Sequence, residues 1–158
     1  MTDQFELHWA TQADHATLAD VMYDAVRNGP SKYSEAQRAA WVPERRSGDA
    51  WDERLARQDV IQARNPEGET LGFMSLDADG YIDFAYIRPG AQGSGLFRRM
   101  FEAIEQKSRD KGEQRLWVHA SLMAQPAFAQ MGFTVVEQQV VHISEQSFER
   151  AEMEKRLA

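Results

Sequence analysis

The sequence contains no cysteine. That absence excludes disulfides, thiolate metal sites and any covalent catalysis that passes through a cysteinyl intermediate. Histidine is also scarce, since His8, His15, His119 and His142 are the only four, and they lack the close spacing of paired metal ligands. We therefore expect neither a structural nor a catalytic metal.

The chain also lacks a long apolar run, and its first ten residues, MTDQFELHWA, show no basic start followed by an apolar core. These features predict neither a membrane span nor an export leader, and by default a cytoplasmic location. Negative charge is in excess, because 18 Lys and Arg face 25 Asp and Glu and leave a net charge of −7. Nucleic acids and membrane surfaces are polyanions, so neither is expected as a partner.

The remaining composition is typical of one globular domain over residues 1–158, with 42% hydrophobic and 27% charged residues. Alternating apolar segments predict strands at FELHWA, DVIQARN, ETLGFMSLD, YIDFAYIRP, RLWVHA and in the last 25 residues, where two strands are expected. Helical spacing predicts one helix after Asp14 and another after the glycines near residue 95. Ser34 with Gln37 predicts a capped helix between these two. The sequence thus predicts an α+β fold, monomeric or homodimeric, with a mixed, mostly antiparallel sheet of six to seven strands and about four helices.

Three glycines crowd the segment AYIRPGAQGSGLFRRMF, residues 85–101, between a predicted strand and a predicted helix. A P-loop is excluded because no Lys follows the glycines, and a dinucleotide fingerprint is disfavoured by the order G-x-x-G-x-G after antiparallel-looking strands. Successive N–H groups of Gly93, Ser94, Gly95 and Leu96 at a helix N-terminus favour a pyrophosphate. A plain turn is the competing interpretation.

The segment IRPGAQGSGLFRRMF resembles the acyl-CoA pyrophosphate loop of the GNAT superfamily of N-acyltransferases, with Gln92 as its first polar residue and Gly95 as its central glycine. HASLMAQPAFAQMGF, residues 119–133, resembles the second cofactor-binding region of that family, so the likeness covers most of the chain. It implies a small, bacterial-type, single-domain member that uses acetyl-CoA. Two residues depart from the family pattern: Phe97 stands where Gly or Ala is usual, and Phe128 stands where many members have a Tyr thought to protonate the departing thiolate.

The resemblance implies direct acetyl transfer to a primary amine of a small molecule, peptide or protein, which requires a base because an alkylammonium has no lone pair. Asp83 is the first candidate base and His119 the second, each against a purely structural alternative. A backbone N–H near Ile87 is expected to bind the oxyanion of the tetrahedral intermediate.

The resemblance also implies a set of binding residues on the strand, the glycine loop and the second region. Tyr33 and Trp41 are the predicted acceptor-binding residues. Arg98 is expected near a CoA phosphate, with pairing to an acidic neighbour as an equal alternative. The predicted cofactor-binding residues are Tyr86, Ile87, Arg88, Gln92, Gly93, Ser94, Gly95, Leu96, Phe97, Arg98, Ser121 and Phe128.

Two further functional hypotheses are compatible with the residues. Phe97 and Phe128 suggest a non-catalytic acyl-CoA-binding or regulatory module on the same fold. A dinucleotide-binding protein is the other alternative, and it would require parallel βαβ units in place of antiparallel strands before residue 88.

Overall fold

The computed structural model describes residues 5–157 and contains seven strands and five α-helices. The α+β class and the mostly antiparallel sheet are thereby confirmed. The strands are β1 (Glu6–Trp9), β2 (Asp59–Arg64), β3 (Thr70–Leu76), β4 (Tyr81–Ile87), β5 (Arg115–Ser121), β6 (Thr134–Ile143) and β7 (Gln146–Arg156). The helices are α1 (His15–Asn28), α2 (Glu35–Trp41), α3 (Gly48–Ala56), α4 (Leu96–Asp110) and α5 (Gln125–Gln130).

The strands form one sheet in the order β1-β2-β3-β4-β5-β7-β6. Every neighbouring pair is antiparallel except β4 and β5, which run parallel. The antiparallel run from β2 to β4 contradicts the dinucleotide-binding alternative. The parallel pair is short, because only Tyr81 with Trp117 and Ile82 with Val118 are in register.

Helices cover both faces of the sheet and bury one apolar cluster on each. We call the side covered by α4 and α5 the α4 face, where Met100 and Ile104 are fully buried. The opposite side, covered by α1, α2 and α3, is the α1 face, where Leu18 and Val21 are fully buried. Each such side chain contributes about 1.5–3 kcal/mol by leaving water. None of the helices within residues 5–157 is long and apolar enough to cross a membrane.

Helix α2 begins at the capping box that its sequence predicts. The Ser34 hydroxyl accepts the N–H of Gln37 at 3.1 Å, and the Ser34 N–H donates to the Gln37 side chain at 2.7 Å. Two N-terminal donors are thus satisfied at once. The cap fixes where α2 begins. It thereby positions Tyr33, just before the helix, and Trp41, at its last residue.

A β-bulge interrupts the pairing of β4 with β3. Met74 lies opposite Ala85 and Leu76 opposite Ile82, so that Asp83 and Phe84 together oppose one residue. That residue is Ser75, whose buried hydroxyl accepts the N–H of Phe84 at 2.9 Å. Because of the bulge, Phe84 packs on the α1 face, as Tyr86 does, while Ile82 and Ala85 pack on the α4 face.

Candidate active site

Strands β4 and β5 separate after Ile82 and Val118, and a cavity of about 410 Å³ fills the space between them. We call it the gap cavity. This volume is typical of small-molecule sites. The gap cavity is lined by β4 at Ala85, Tyr86 and Ile87, by Ser121 of β5, by the start of α4, by α5, and by the segment from α1 to α2. Since the lining comes from both faces, the gap cavity passes through the sheet.

The backbone of β4 directs two N–H groups toward this space. The Arg88 N–H donates to the carbonyl of Leu71 in β3 at 2.8 Å. Hydrogen-bonded pairs alternate along an antiparallel ladder, so Tyr86 also faces β3, whereas Ala85 and Ile87 direct their N–H and C=O groups toward the gap. The Ile87 N–H is thus directed at the gap, and so is that of Ala85, which sequence reasoning did not single out.

The same pattern corrects the expected main-chain roles of Tyr86 and Arg88, whose N–H groups are directed at β3. Arg88 also uses its side chain elsewhere, because its Nε donates to the Thr70 carbonyl at 2.8 Å and its Nη1 pairs with Asp24 at 3.1 Å. Arg88 is therefore structural and does not line the gap cavity. Tyr86 contributes its ring to the lining instead.

The glycine loop leads directly into the N-terminus of α4. Gly93 and Gly95 both have φ of 81°, in the left-handed region that glycine adopts without strain, and Gly95 is the N-cap of α4. The first N–H groups of the helix have no intrahelical acceptor, and no acidic residue stands in the first turn. Ser94 tightens the loop, since its hydroxyl donates to the carbonyl of Ala91 at 2.7 Å. These groups lie at the mouth of the gap cavity on the α4 face.

The two phenylalanines that depart from the family pattern pack against each other. The Phe97 and Phe128 rings meet edge to face with centroids 5.1 Å apart, and Phe128 contacts Phe133 at 5.0 Å. Phe97 is half-buried and lines the gap cavity with part of its ring. Phe128 has no exposed surface and belongs to the core. Its expected contact with the cofactor is corrected accordingly: its ring fills space between α5 and the sheet.

The carboxylate of Asp83, the first candidate base, is already hydrogen-bonded to other side chains. Its carboxylate accepts two hydrogen bonds from Arg54, at 2.7 and 2.8 Å, and a third from Gln58 at 2.7 Å. Only 5% of the Asp83 side chain is exposed, and the residue does not line the gap cavity. The hydrogen bonds from Arg54 to Asp83 raise the pKa of Arg54. The role that sequence reasoning gave to Asp83 is corrected, because both oxygens already serve to hold α3 against the bulge of β4.

The second candidate base, His119, lies on the α1 face of β5, two residues before Ser121. Its Nδ1 is 3.2 Å from the Tyr81 hydroxyl. Desolvation, and then the positive charge of Arg150, lower the pKa of His119 below its ordinary value. The imidazole is therefore neutral at physiological pH and has one unprotonated ring nitrogen. It stands outside the residues that line the gap cavity.

Aromatic side chains line the gap cavity on the α1 face. The Tyr33 ring lies 5.9 Å from Trp41 between centroids, and Trp41 lies 6.2 Å from Tyr86. The Tyr33 hydroxyl donates to the Glu149 carbonyl at 2.5 Å and accepts the N–H of Leu122 at 3.1 Å. The hydroxyl thereby connects β7 to the end of β5, at a position where a backbone hydrogen bond between the two strands would otherwise form. Burial raises the pKa of Tyr33 and of Tyr86, so both remain neutral phenols.

The lining of the gap cavity contains no Asp or Glu among the residues that the structure describes, and Arg98 is its only charged side chain there. Over the same part of the chain, no group of three His, Asp or Glu residues is placed to hold a metal ion. The gap cavity therefore provides backbone donors, aromatic rings and few charges. Of the predicted site residues, it brings together Tyr33, Trp41, Tyr86, Ile87, Gln92, Gly93, Gly95, Leu96, Phe97, Arg98 and Ser121.

Comparison with known proteins gives one consistent result. The family described as "Acetyltransferase (GNAT) domain" matches residues 30–157. The uncharacterized N-acetyltransferase YafP of Escherichia coli K12 is 32% identical over 129 residues, which are 81% of this chain and 80% of that protein.

Solved structures agree with that match. A Rhodopseudomonas palustris protein described as a GCN5-related N-acetyltransferase (Aminotransferase, Class-II) superposes with a TM-score of 0.86 at 26% identity, over 99% of this chain and 97% of its own. PaiA N-acetyltransferase from Thermoplasma acidophilum, solved with coenzyme A, superposes with a TM-score of 0.77 at 17% identity, over 96% of this chain and 98% of its own.

Proposed function

The chain belongs to the GNAT acetyltransferases, which are acyl-CoA-dependent enzymes, and from that membership we propose that it transfers the acetyl group of acetyl-CoA directly to a primary amine. The observation that carries the proposal is the separation of β4 from β5, which leaves Ala85 and Ile87 with backbone groups directed into the gap cavity. An extended pantetheine arm would complete this open strand edge by main-chain hydrogen bonds.

The glycine loop supports the position of the rest of the cofactor. The pyrophosphate binds the N–H groups at the start of α4, where the helix dipole also favours negative charge. Arg98, exposed in the first turn of that helix, is available to a phosphate group. Gln130 and Ala127 of α5 line the gap cavity opposite β4 and would contact the arm from that side.

In the proposed reaction the amine nitrogen attacks the thioester carbonyl, the C–N bond forms, and the C–S bond then breaks. The N–H of Ala85, which lies deeper in the gap than that of Ile87, stabilises the oxyanion of the tetrahedral intermediate. The proton of the amine passes to His119, directly or through water, because Asp83 is held by Arg54. The thiolate leaves without help from Phe128, since a thiol of pKa about 8.5 departs readily as its anion.

Binding of acetyl-CoA is the first test, and Gly95→Asp is the informative variant. The new carboxylate would stand where the pyrophosphate binds, and it would meet a φ of 81°. Gly68→Asp is the matched control, because Gly68 has a φ of 85° in the turn between β2 and β3 and a Cβ there meets nothing within 4 Å. Acetyl-CoA at a hundredfold excess over its Kd should stabilise the protein by about 2.7 kcal/mol.

We expect this rise in melting temperature in the unchanged protein and in Gly68→Asp, and its loss in Gly95→Asp. An equal rise in both variants would contradict the assignment of the loop. Release of the CoA thiol with a panel of primary amines then tests transfer. Binding without release for every amine would favour the non-catalytic acyl-CoA-binding module instead.

A further inference from the structure

Arg150 lies beside the end of the gap cavity that opens on the α1 face. In the pairing of β5 with β7 it stands opposite Ser121, which lines the gap cavity. Phe148, two residues earlier on the same face of β7, contacts the Tyr33 ring at 5.3 Å. We call the region around Tyr33, His119, Ser121 and Arg150 the acceptor mouth.

The positive charge of Arg150 reaches three rings of this region. It lowers the pKa of His119, and it opposes the increase that burial causes in the pKa of Tyr33 and of Tyr81. These rings belong to β4, β5 and the segment before α2. The strand register places Arg150 opposite Ser121, on the same face as His119, and the residue is half-buried on the sheet.

Arg150 has no carboxylate partner within ion-pair distance among residues 5–157. Its Nε donates to the amide oxygen of Gln139 at 2.9 Å, and neither Nη group makes a hydrogen bond to another described residue. On the same face, Arg54 and Arg115 are paired with Asp83 and Glu152, whereas Arg38 and Arg46 use their Nη groups on backbone carbonyls. In a chain of net charge −7, a half-buried guanidinium with both Nη groups available is suited to an anionic ligand.

The lining of the gap cavity restricts the rest of that ligand. Tyr33, Trp41 and Tyr86 give it an aromatic wall, and Val26 adds an aliphatic side chain. Among the residues that the structure describes, the lining of the gap cavity contains no acidic side chain that could hold a second ammonium group. Glu152 lies opposite His119 but is paired with Arg115, so within the lining a polyamine would find no carboxylate, whereas an apolar body would find matching contacts.

We propose that the acceptor is a primary amine that also carries a carboxylate on an apolar or aromatic body, and that the Arg150 guanidinium binds that carboxylate. The inference rests on the proposed function and names its acceptor class. A bidentate pair fixes the carboxylate in orientation as well as in position, so the amine is directed at the thioester. The nearby cation also disfavours the ammonium form and thus promotes the neutral amine that must attack.

The test compares acceptors that differ by the carboxylate alone: phenylalanine with phenethylamine, and leucine with 3-methylbutylamine, with spermidine as the polycationic probe. Thiol release from acetyl-CoA gives kcat and KM for each. One charge-assisted pair corresponds to a preference of roughly 10- to 100-fold in kcat/KM for the carboxylate-bearing member. Arg150→Ala should abolish that preference by raising KM for the acids, and Arg150→Lys should restore part of it.

Arg156→Ala is the matched control, since Arg156 lies on the same face near the end of β7 with 73% of its side chain exposed. The Arg156→Ala variant should keep the preference for carboxylate-bearing acceptors. A preference unchanged in Arg150→Ala, or phenethylamine or spermidine used better than phenylalanine, would overturn the inference while the proposed function stands. Release with none of the amines, in protein that still binds acetyl-CoA, would overturn the proposed function and this inference with it.

Discussion

Removing Arg54 is expected to destabilise the fold more than removing Asp83, although the two residues form one ion pair. The Arg54 and Asp83 side chains are 44% and 5% exposed, respectively. When Asp83 is neutralised, the guanidinium that remains can turn to water. When Arg54 is truncated, the carboxylate that remains is buried with only the Gln58 amide to stabilise it.

The magnitudes follow from this asymmetry. Arg54→Ala should cost about 3 kcal/mol in the free energy of unfolding, because it leaves a buried charge without its counter-ion. The loss of the guanidinium over the Phe84 ring, 4.5 Å from its centroid, is included in that figure. Asp83→Asn should cost about 1 kcal/mol, typical of a pair with one partner in water. Adding Asp83→Asn to Arg54→Ala removes the stranded charge, so the double variant should be more stable than Arg54→Ala by about 1–2 kcal/mol.

Urea denaturation at pH 7 measures all three variants, and Arg57→Ala is the control. Arg57 pairs with Asp77 at 3.3 Å, is 60% exposed, and should contribute at most about 1 kcal/mol. A double variant less stable than Arg54→Ala would refute the reasoning. So would a decrease in kcat of about 10²- to 10⁴-fold in Asp83→Asn with little loss of stability, because that is the result expected of a general base.

Two further predictions concern the acceptor mouth. Tyr33→Phe removes the hydroxyl between β5 and β7 and with it two hydrogen bonds to partly buried backbone groups, so thermal melts should show a loss of about 1–3 kcal/mol, against almost none for the control Tyr23→Phe on α1. Because the pKa of His119 is lowered below 6.5, the unfolded chain binds its proton first as the pH falls. Stability should therefore decrease below about pH 6.5, and His119→Gln should flatten that decrease; a parallel profile in the variant would contradict it.

Local sequence patterns predicted the elements and the start of α4 at the glycine loop because those signals lie within a few residues of one another. Ser34 and Gln37 form their capping box by contacts inside a single turn. Gly95 ends the strand-to-loop segment and starts α4 in a conformation that its own lack of a side chain permits. Both features were therefore readable without the fold, and the structure has them where the sequence predicted them.

The roles of Asp83, Ala85 and Arg88 depend on residues distant in sequence. The partner of Asp83 is Arg54, 29 positions earlier on a helix whose position relative to β4 no local pattern gives. The direction of the Ala85 N–H depends on the register with β3 and on the bulge opposite Ser75. Phe128 matched a motif position, but its direction into the core depends on how α5 packs on the sheet.

Amide hydrogen exchange along β4, with and without acetyl-CoA, tests the central claim that the gap cavity holds the thioester arm by the backbone of one strand. The Ala85 and Ile87 amides should exchange at least about tenfold more slowly when acetyl-CoA is bound, since each gains a hydrogen bond. The Tyr86 and Arg88 amides, already directed at β3, should change little. Equal protection at all four positions, or none at Ala85 and Ile87, would contradict the account.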